Sequence, residues 1–183
     1  MIPIVLELAL VRSVQASIVS MSMTTSKNSK LRPNVCMLVY NKKGQLFLGE
    51  RYDKKGHWQF PQGGVEKEKS GKDTVLRELR EEIGIRKRSI GRIRKLSARH
   101  SYLWSKIPAY AVGRWVGQTQ TFWLVEFIGS DDQIDLTTTD DQEFRRWRWC
   151  SVTAVRRQAA KERRKGYRAA LAEFLALKRK GAL

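Results

Sequence analysis

The apolar positions of this chain follow two periods, and the switch between them outlines the fold. VCMLVY at 35–40 and QLFLGER at 45–51 read as strands joined by a turn at 41–44. A polar loop at 53–56 leads into HWQFPQ at 57–62, a short strand closed by proline. Residues 90–96 carry a weak strand pattern, and 99–117 read as an irregular loop with aromatics and Pro108. A loop of that length in a compact domain is usually functional. TQTFWLVEFI at 119–128 is apolar on both faces, as for a central strand. A polar, acidic loop at 129–141 precedes a last strand, EFRRWRWC, at 143–150. Tyr167, Ala170, Leu171, Phe174 and Leu175 mark an amphipathic C-terminal helix. Strands around one central helix, then a terminal helix, predict a mixed α/β domain.

The central helix lies in GGVEKEKSGKDTVLRELREEIGI at 63–85. Val75, Leu76, Leu79 and Ile83 share one side at helical spacing. Ser70 with Asp73 three residues on is a capping-box start, and Gly84 is placed to end the helix in the left-handed conformation. Gly63 and Gly64 are expected to allow a backbone turn that a Cβ would block. Glu78, Glu81 and Glu82 stand at i, i+3 and i+4, so three carboxylates share a patch. Like charges gathered this way call for a cation, and an all-oxygen ligand set suits Mg²⁺ or Mn²⁺.

Composition narrows the partners. The 183 residues suffice for one domain with a real core, and 42% hydrophobic with 30% charged content reads as globular. A formal net charge of +18 attracts polyanions such as RNA, nucleotides or anionic membrane surfaces. Arg156, Arg157, Lys161, Arg163, Arg164, Lys165 and Arg168 cluster against Glu162 alone, a patch suited to an RNA backbone or simply a solvated helix face. Cys36 and Cys150 sit apart in apolar runs, which excludes a disulfide framework or a zinc site. Residues 1–30 differ from the rest. Their apolar run is broken by Glu7, Arg12 and Gln15, too interrupted for a membrane span, and no basic region precedes it. An extension without fixed structure, a misassigned start with Met21 or Met23 as the true one, an organelle-targeting peptide and a partner-binding helix all stay open.

Gly63, Arg77, Glu78, Leu79, Glu81, Glu82, Gly84 and Ile85 stand in the register of the Nudix box, and the stretch resembles that motif. One position departs: the first Glu of the box is Lys69 here, with Glu66 and Glu68 as the candidates to replace it. RPNV at 32–35, WQFPQGG at 58–64, GQTQTFW at 117–123 and EFRRWRW at 143–149 look like the RNA pyrophosphohydrolase and dinucleoside polyphosphate hydrolase branch of that family. Tyr102 falls where that branch carries a tyrosine after the box.

The resemblance implies a Nudix fold over residues 31–180, a mixed β-sheet sandwiched between α-helices (α/β/α). It implies a divalent metal, Mg²⁺ or Mn²⁺, held by Glu78, Glu81, Glu82 and Glu143 with Gly63. Such ions neutralise polyphosphate charge and ease deprotonation of the attacking water. Glu78, Glu82 and Glu143 are the implied catalytic residues, with Glu143 or a box Glu as the base. Arg32, Asn34, Gln62, Tyr102, Gln118 and one or more of Lys161, Arg163 and Arg164 are the substrate contacts. Tyr102, Trp104 and Tyr110 are either base-stacking groups or loop anchors; His57 and His100 have no catalytic role. The implied reaction removes pyrophosphate from triphosphorylated RNA 5′ ends. The alternatives are cleavage of diadenosine tetraphosphate and a catalytically silent RNA-binding module. Neither DNA nor membrane is an expected partner, and a cytoplasmic monomer is the expected form, with organelle targeting left open.

Overall fold

The computed structural model describes residues 30–183; the readings of residues 1–29 lie outside the described residues. The chain runs β1 (Leu31–Tyr40), β2 (Leu46–Arg51), β3 (Trp58–Gln59), β4 (Gln62–Gly64), α1 (Gly71–Ile83), β5 (Ile90–Leu103), β6 (Gly117–Phe127), β7 (Phe144–Cys150), α2 (Val152–Gln158) and α3 (Lys161–Arg179). The seven strands form one mixed sheet in the order β3-β2-β1-β6-β5, with β4 on β1 and β7 on β2. β1 and β6 are parallel in unbroken register from Leu31↔Gly117 to Tyr40↔Glu126.

Alternation along the inner strands divides the core between the two faces. Val35, Met37, Val39, Phe47, Val125 and Phe127 point to one side and pack with Val75, Leu79 and Ile83 of α1. Cys36, Leu38, Tyr40, Leu48, Phe122 and Leu124 point to the other and pack with Val155 of α2 and Tyr167, Leu171 and Phe174 of α3. The result is the expected α/β/α sandwich. Leu79 is fully buried, and its truncation to Ala would cost about 2–5 kcal/mol. Both cysteines are buried and unpaired. Among the described residues no helix is long and apolar enough to cross a membrane.

The strand expected at 57–62 is in fact two. β3 pairs with β2, Gly49↔Gln59, and β4 pairs with β1, Cys36↔Gln62. Phe60 and Pro61 carry the chain between them, and the Pro61 carbonyl accepts the Met37 N–H at 2.8 Å. A proline suits this crossing because it has no N–H to leave unpaired. β1 and β2 meet only at Tyr40↔Leu46, so the sheet is open above that point, and β3–β4 crosses the opening.

The irregular stretch expected from residue 99 is also shorter than its sequence suggests, because β5 continues to Leu103. Its alternation is broken by a register shift between Lys95 and Arg99. Such a bulge hides a strand from a period-2 reading. Glu173 of α3 holds the bulge: its carboxylate accepts the Ser97 N–H at 3.0 Å, the Ser97 hydroxyl at 2.9 Å and the Ala98 N–H at 3.1 Å. The short helix α2 had no sequence expectation. It is capped by Ser151, which accepts the Ala154 N–H at 3.1 Å.

Candidate active site

The box helix forms as its caps dictate. Ser70 accepts the Asp73 N–H at 3.1 Å, and Gly84 sits at φ 69° with its N–H on Arg80 and Leu79 carbonyls. Gly63 and Gly64 need a different explanation from the expected turn, since both lie in β4. A Cβ on Gly63 would stand 1.7 Å from the Glu78 carboxylate, and one on Gly64 would stand 2.0 Å from the Arg32 guanidinium. These glycines let two charged side chains lie flat on the strand.

The acidic residues divide into two sets. Glu78 and Glu81 lean on Arg77, which donates to Glu81 at 2.6 Å, to Glu78, and to the Gly64 carbonyl at 3.2 Å. Glu82 faces the opening in the sheet. One of its oxygens accepts the Gln62 N–H at 3.1 Å. Burial, then the nearby Glu143 and Glu78 charges, hold its carboxyl well above the usual range. Glu143, just ahead of β7, accepts from Arg51 at 2.6 Å and from Gln59 at 3.2 Å. Burial raises its carboxyl too, against the lowering pull of Arg51. Glu78 is raised for the same first reason, with Arg77 opposing.

A line of polar side chains leads away from Glu82 along the sheet. Gln120 donates to Gln62 at 2.7 Å and to Asn34 at 3.2 Å. Arg163, half-buried on α3, donates to the Tyr102 hydroxyl at 2.9 Å and reaches Gln62 at 3.5 Å; Tyr102 donates to Gln118 at 3.0 Å. Of the three basic candidates, Arg163 alone enters. Lys161 is exposed, and Arg164 turns back to cap the Ala159 carbonyl at 2.7 Å and that of Arg157. Arg32 lies between the Tyr110 and Trp115 rings, at 5.0 and 5.7 Å from their centroids. Trp104 meets Tyr110 edge-on at 6.2 Å. His100 stacks on Tyr102 at 5.7 Å, and His57 is buried beside Glu162 at 3.3 Å.

Sequence reasoning passed over Arg51, Gln59 and Gln120. Gln59 and Gln120 are almost fully buried; for Gln59, a polar residue between Trp58 and Phe60 was the available signal.

The donor set suits a hard divalent cation. Glu78, Glu81, Glu82, Glu143 and the Gly63 carbonyl are all oxygen donors, and the mutual repulsion of Glu82, Glu143 and Glu78 is what a cation relieves. Gln59 Oε1, in the side chain bonded to Glu143, is buried without a hydrogen-bond partner. The side chains are posed for arginines, however: among the described residues no three acidic, His or Cys groups already surround one point. An ion held by Glu78 and Glu81 would compete with Arg77 for their oxygens.

Comparison with known proteins places the chain in a family. The NUDIX domain matches residues 30–172. The RNA pyrophosphohydrolase of Wolbachia pipientis subsp. Culex pipiens is 34% identical over 81% of this chain and 92% of its own. That of Klebsiella pneumoniae is 36% identical over 78% and 82%. Among solved structures, the E. coli dihydroneopterin triphosphate pyrophosphohydrolase superposes with a TM-score of 0.61 at 16% identity, covering 80% of this chain and 99% of that one. A C. elegans Ap4A hydrolase does so at 0.55 and 21%, covering 78% and 98%. The chain therefore belongs to the NUDIX domain family.

Proposed function

We propose that this protein is a divalent-metal-dependent hydrolase that removes pyrophosphate from triphosphorylated RNA 5′ ends, leaving a 5′-monophosphate. The observation that carries this reading is Glu82: an acid with no salt-bridge partner among the described residues, repelled by Glu143 and Glu78, at the end of a polar line closed by Arg163. The similarity to RNA pyrophosphohydrolases supports the RNA substrate.

Mg²⁺ or Mn²⁺, held by Glu78, Glu81, Glu82 and Glu143 with Gly63, supplies neutralisation of the polyphosphate charge. The chain's own residues do the rest. Arg163 and Arg32 bind phosphate oxygens, each as a planar donor fork. Gln62 and Asn34, both held by Gln120, and Gln118, held by Tyr102, fix the position of the sugar-phosphate portion. Tyr102, Trp104 and Tyr110 offer ring faces to bases. Glu143 or Glu82 takes the proton of the attacking water as the general base. One water is consumed; its oxygen bonds to phosphorus as a phosphoanhydride bond breaks.

The exposed Tyr110 ring, beside Trp104, leaves stacking area for a second base. That favours diadenosine tetraphosphate as the second reading. The deciding experiment compares release of pyrophosphate from 5′-triphosphate RNA with cleavage of the dinucleotide, for wild type and Glu82→Gln. A large excess for the dinucleotide reverses the order of the two readings. Absence of any Mg²⁺-dependent product would leave only a silent binding module.

A further inference from the structure

Lys69 occupies the one position at which the box departs from its pattern, and Arg77 shows what the fold does about it. A guanidinium has five N–H donors in a rigid plane. Here Nη1 serves Glu81 at 2.6 Å, and Nη2 serves Glu78 and the Gly64 carbonyl at 3.2 Å. The remaining edge, Nε, lies 3.4 Å from Glu66. Two of these partners, Glu78 and Glu81, accept hydrogen bonds and belong to the acidic patch of the helix. The other two sit on the strand and loop that lead into it: the Gly64 carbonyl accepts a hydrogen bond, and Glu66 forms an ion pair.

The loop is shaped to make that fourth contact. The Lys69 N–H donates to the Glu66 carbonyl at 3.2 Å, closing a turn. Glu68 supports the turn in a left-handed backbone conformation, φ 66°. Glu68 itself points away: it reaches only Lys67, at 4.0 Å, and both side chains are almost fully exposed.

We propose that Glu66 is a positioning residue that anchors Arg77 from the loop side, so that Glu78 and Glu81 can pass from the arginine to a divalent cation. This rests on the metal-dependent reading above. With Glu66 present, Arg77 keeps a carboxylate and a carbonyl after the ion takes the helix acids. Without it, the guanidinium keeps one neutral acceptor, and the ion competes against a cation with no other place to go. The Glu66 charge acts in the same direction, because it adds to the field that attracts the ion.

The test measures Mn²⁺ binding to the full metal-free chain by the electron paramagnetic resonance signal of free Mn²⁺, with thermal unfolding alongside. Glu66→Gln should weaken Mn²⁺ affinity about 10–100-fold, as loss of an outer partner of metal ligands does elsewhere. Its Tm without metal should stay near that of wild type, since exposed ion pairs contribute little to folding. Adding Lys69→Glu to that variant returns a carboxylate to the same turn and should restore affinity. Glu68→Gln should match wild type. Unchanged affinity in Glu66→Gln, an equal loss in Glu68→Gln, or a loss accompanied by a lower Tm overturns the proposal. A wild-type chain that binds no Mn²⁺ would instead overturn the metal-dependent reading beneath it.

Discussion

Glu50 and Glu82 are both acids drawn into the protein, and their surroundings treat them in opposite ways. Glu50, on β2, is 1% exposed; its two oxygens accept from Arg146 and from the Gly56 N–H. The Arg146 hydrogen bond holds its carboxyl below the usual range. Arg146 and Arg148 in turn cover the Trp58 ring, at 5.4 and 3.6 Å. Glu82 has one backbone N–H and two acidic neighbours, and its carboxyl is pushed the other way. The first acid is matched within the fold and serves the structure. The second has no ion-pair partner among the described residues and like charges beside it, a setting that a bound cation would relieve.

That contrast is open to direct attack. Glu82→Gln should lower turnover by roughly 10²-fold or more, while Tm in the absence of metal stays level or rises because a repulsion has gone. A variant as active as wild type would remove Glu82 from the reaction. Arg163→Ala deletes a charged donor from the proposed phosphate site and should cost about 1.5–3 kcal/mol of substrate binding, roughly ten- to a hundredfold in KM. Arg164→Ala, which loses only carbonyl caps, should leave KM in place. Equal effects at the two positions would contradict the assignment. Glu50→Gln should show the reverse of Glu82→Gln, with activity largely kept and stability reduced by about 1–3 kcal/mol in denaturant titration.

Glu50 also sets a pH dependence. Its folded pKa is lowered, so its contribution is full above the unfolded carboxylate value, roughly 4.3, and is lost as pH falls through the folded value. Wild-type stability should therefore decline more steeply below about pH 4.3 than that of Glu50→Gln. Parallel curves would show that the Arg146 pair does not act as described. The smallest effect is expected from Trp115→Ala, which frees one side of Arg32: a few-fold rise in KM, from loss of a cation–π contact of about 0.5–1 kcal/mol, with no change in Tm.

The legible and illegible parts of this molecule separate by range along the chain. Ser70, Asp73 and Gly84 act within a turn of helix, and their roles could be read from spacing. The apolar stripe of α1 and the two-faced β6 were likewise local patterns. Arg51 meets Glu143 across 92 positions, and Gln62 meets Arg163 across 101. Neither pairing has a periodic signature. β5 was cut short in the sequence reading because its bulge is held by a residue 76 positions away. The box spacing places three acids on one patch of α1; it could not say that two of them would rest against Arg77, or that Glu66 would take the side of that arginine facing the Lys69 turn.

The Glu173 clasp on β5 has a mechanical consequence. Tyr102 lies a few residues beyond the clasped bulge, and Arg163 lies ten residues before Glu173, about 15 Å along the same helix. One carboxylate thus sets the alignment of both partners in the Arg163–Tyr102 hydrogen bond. Loosening it would let the C-terminal helix slide against the sheet edge, and the change would surface as a mis-aimed guanidinium at the proposed phosphate site.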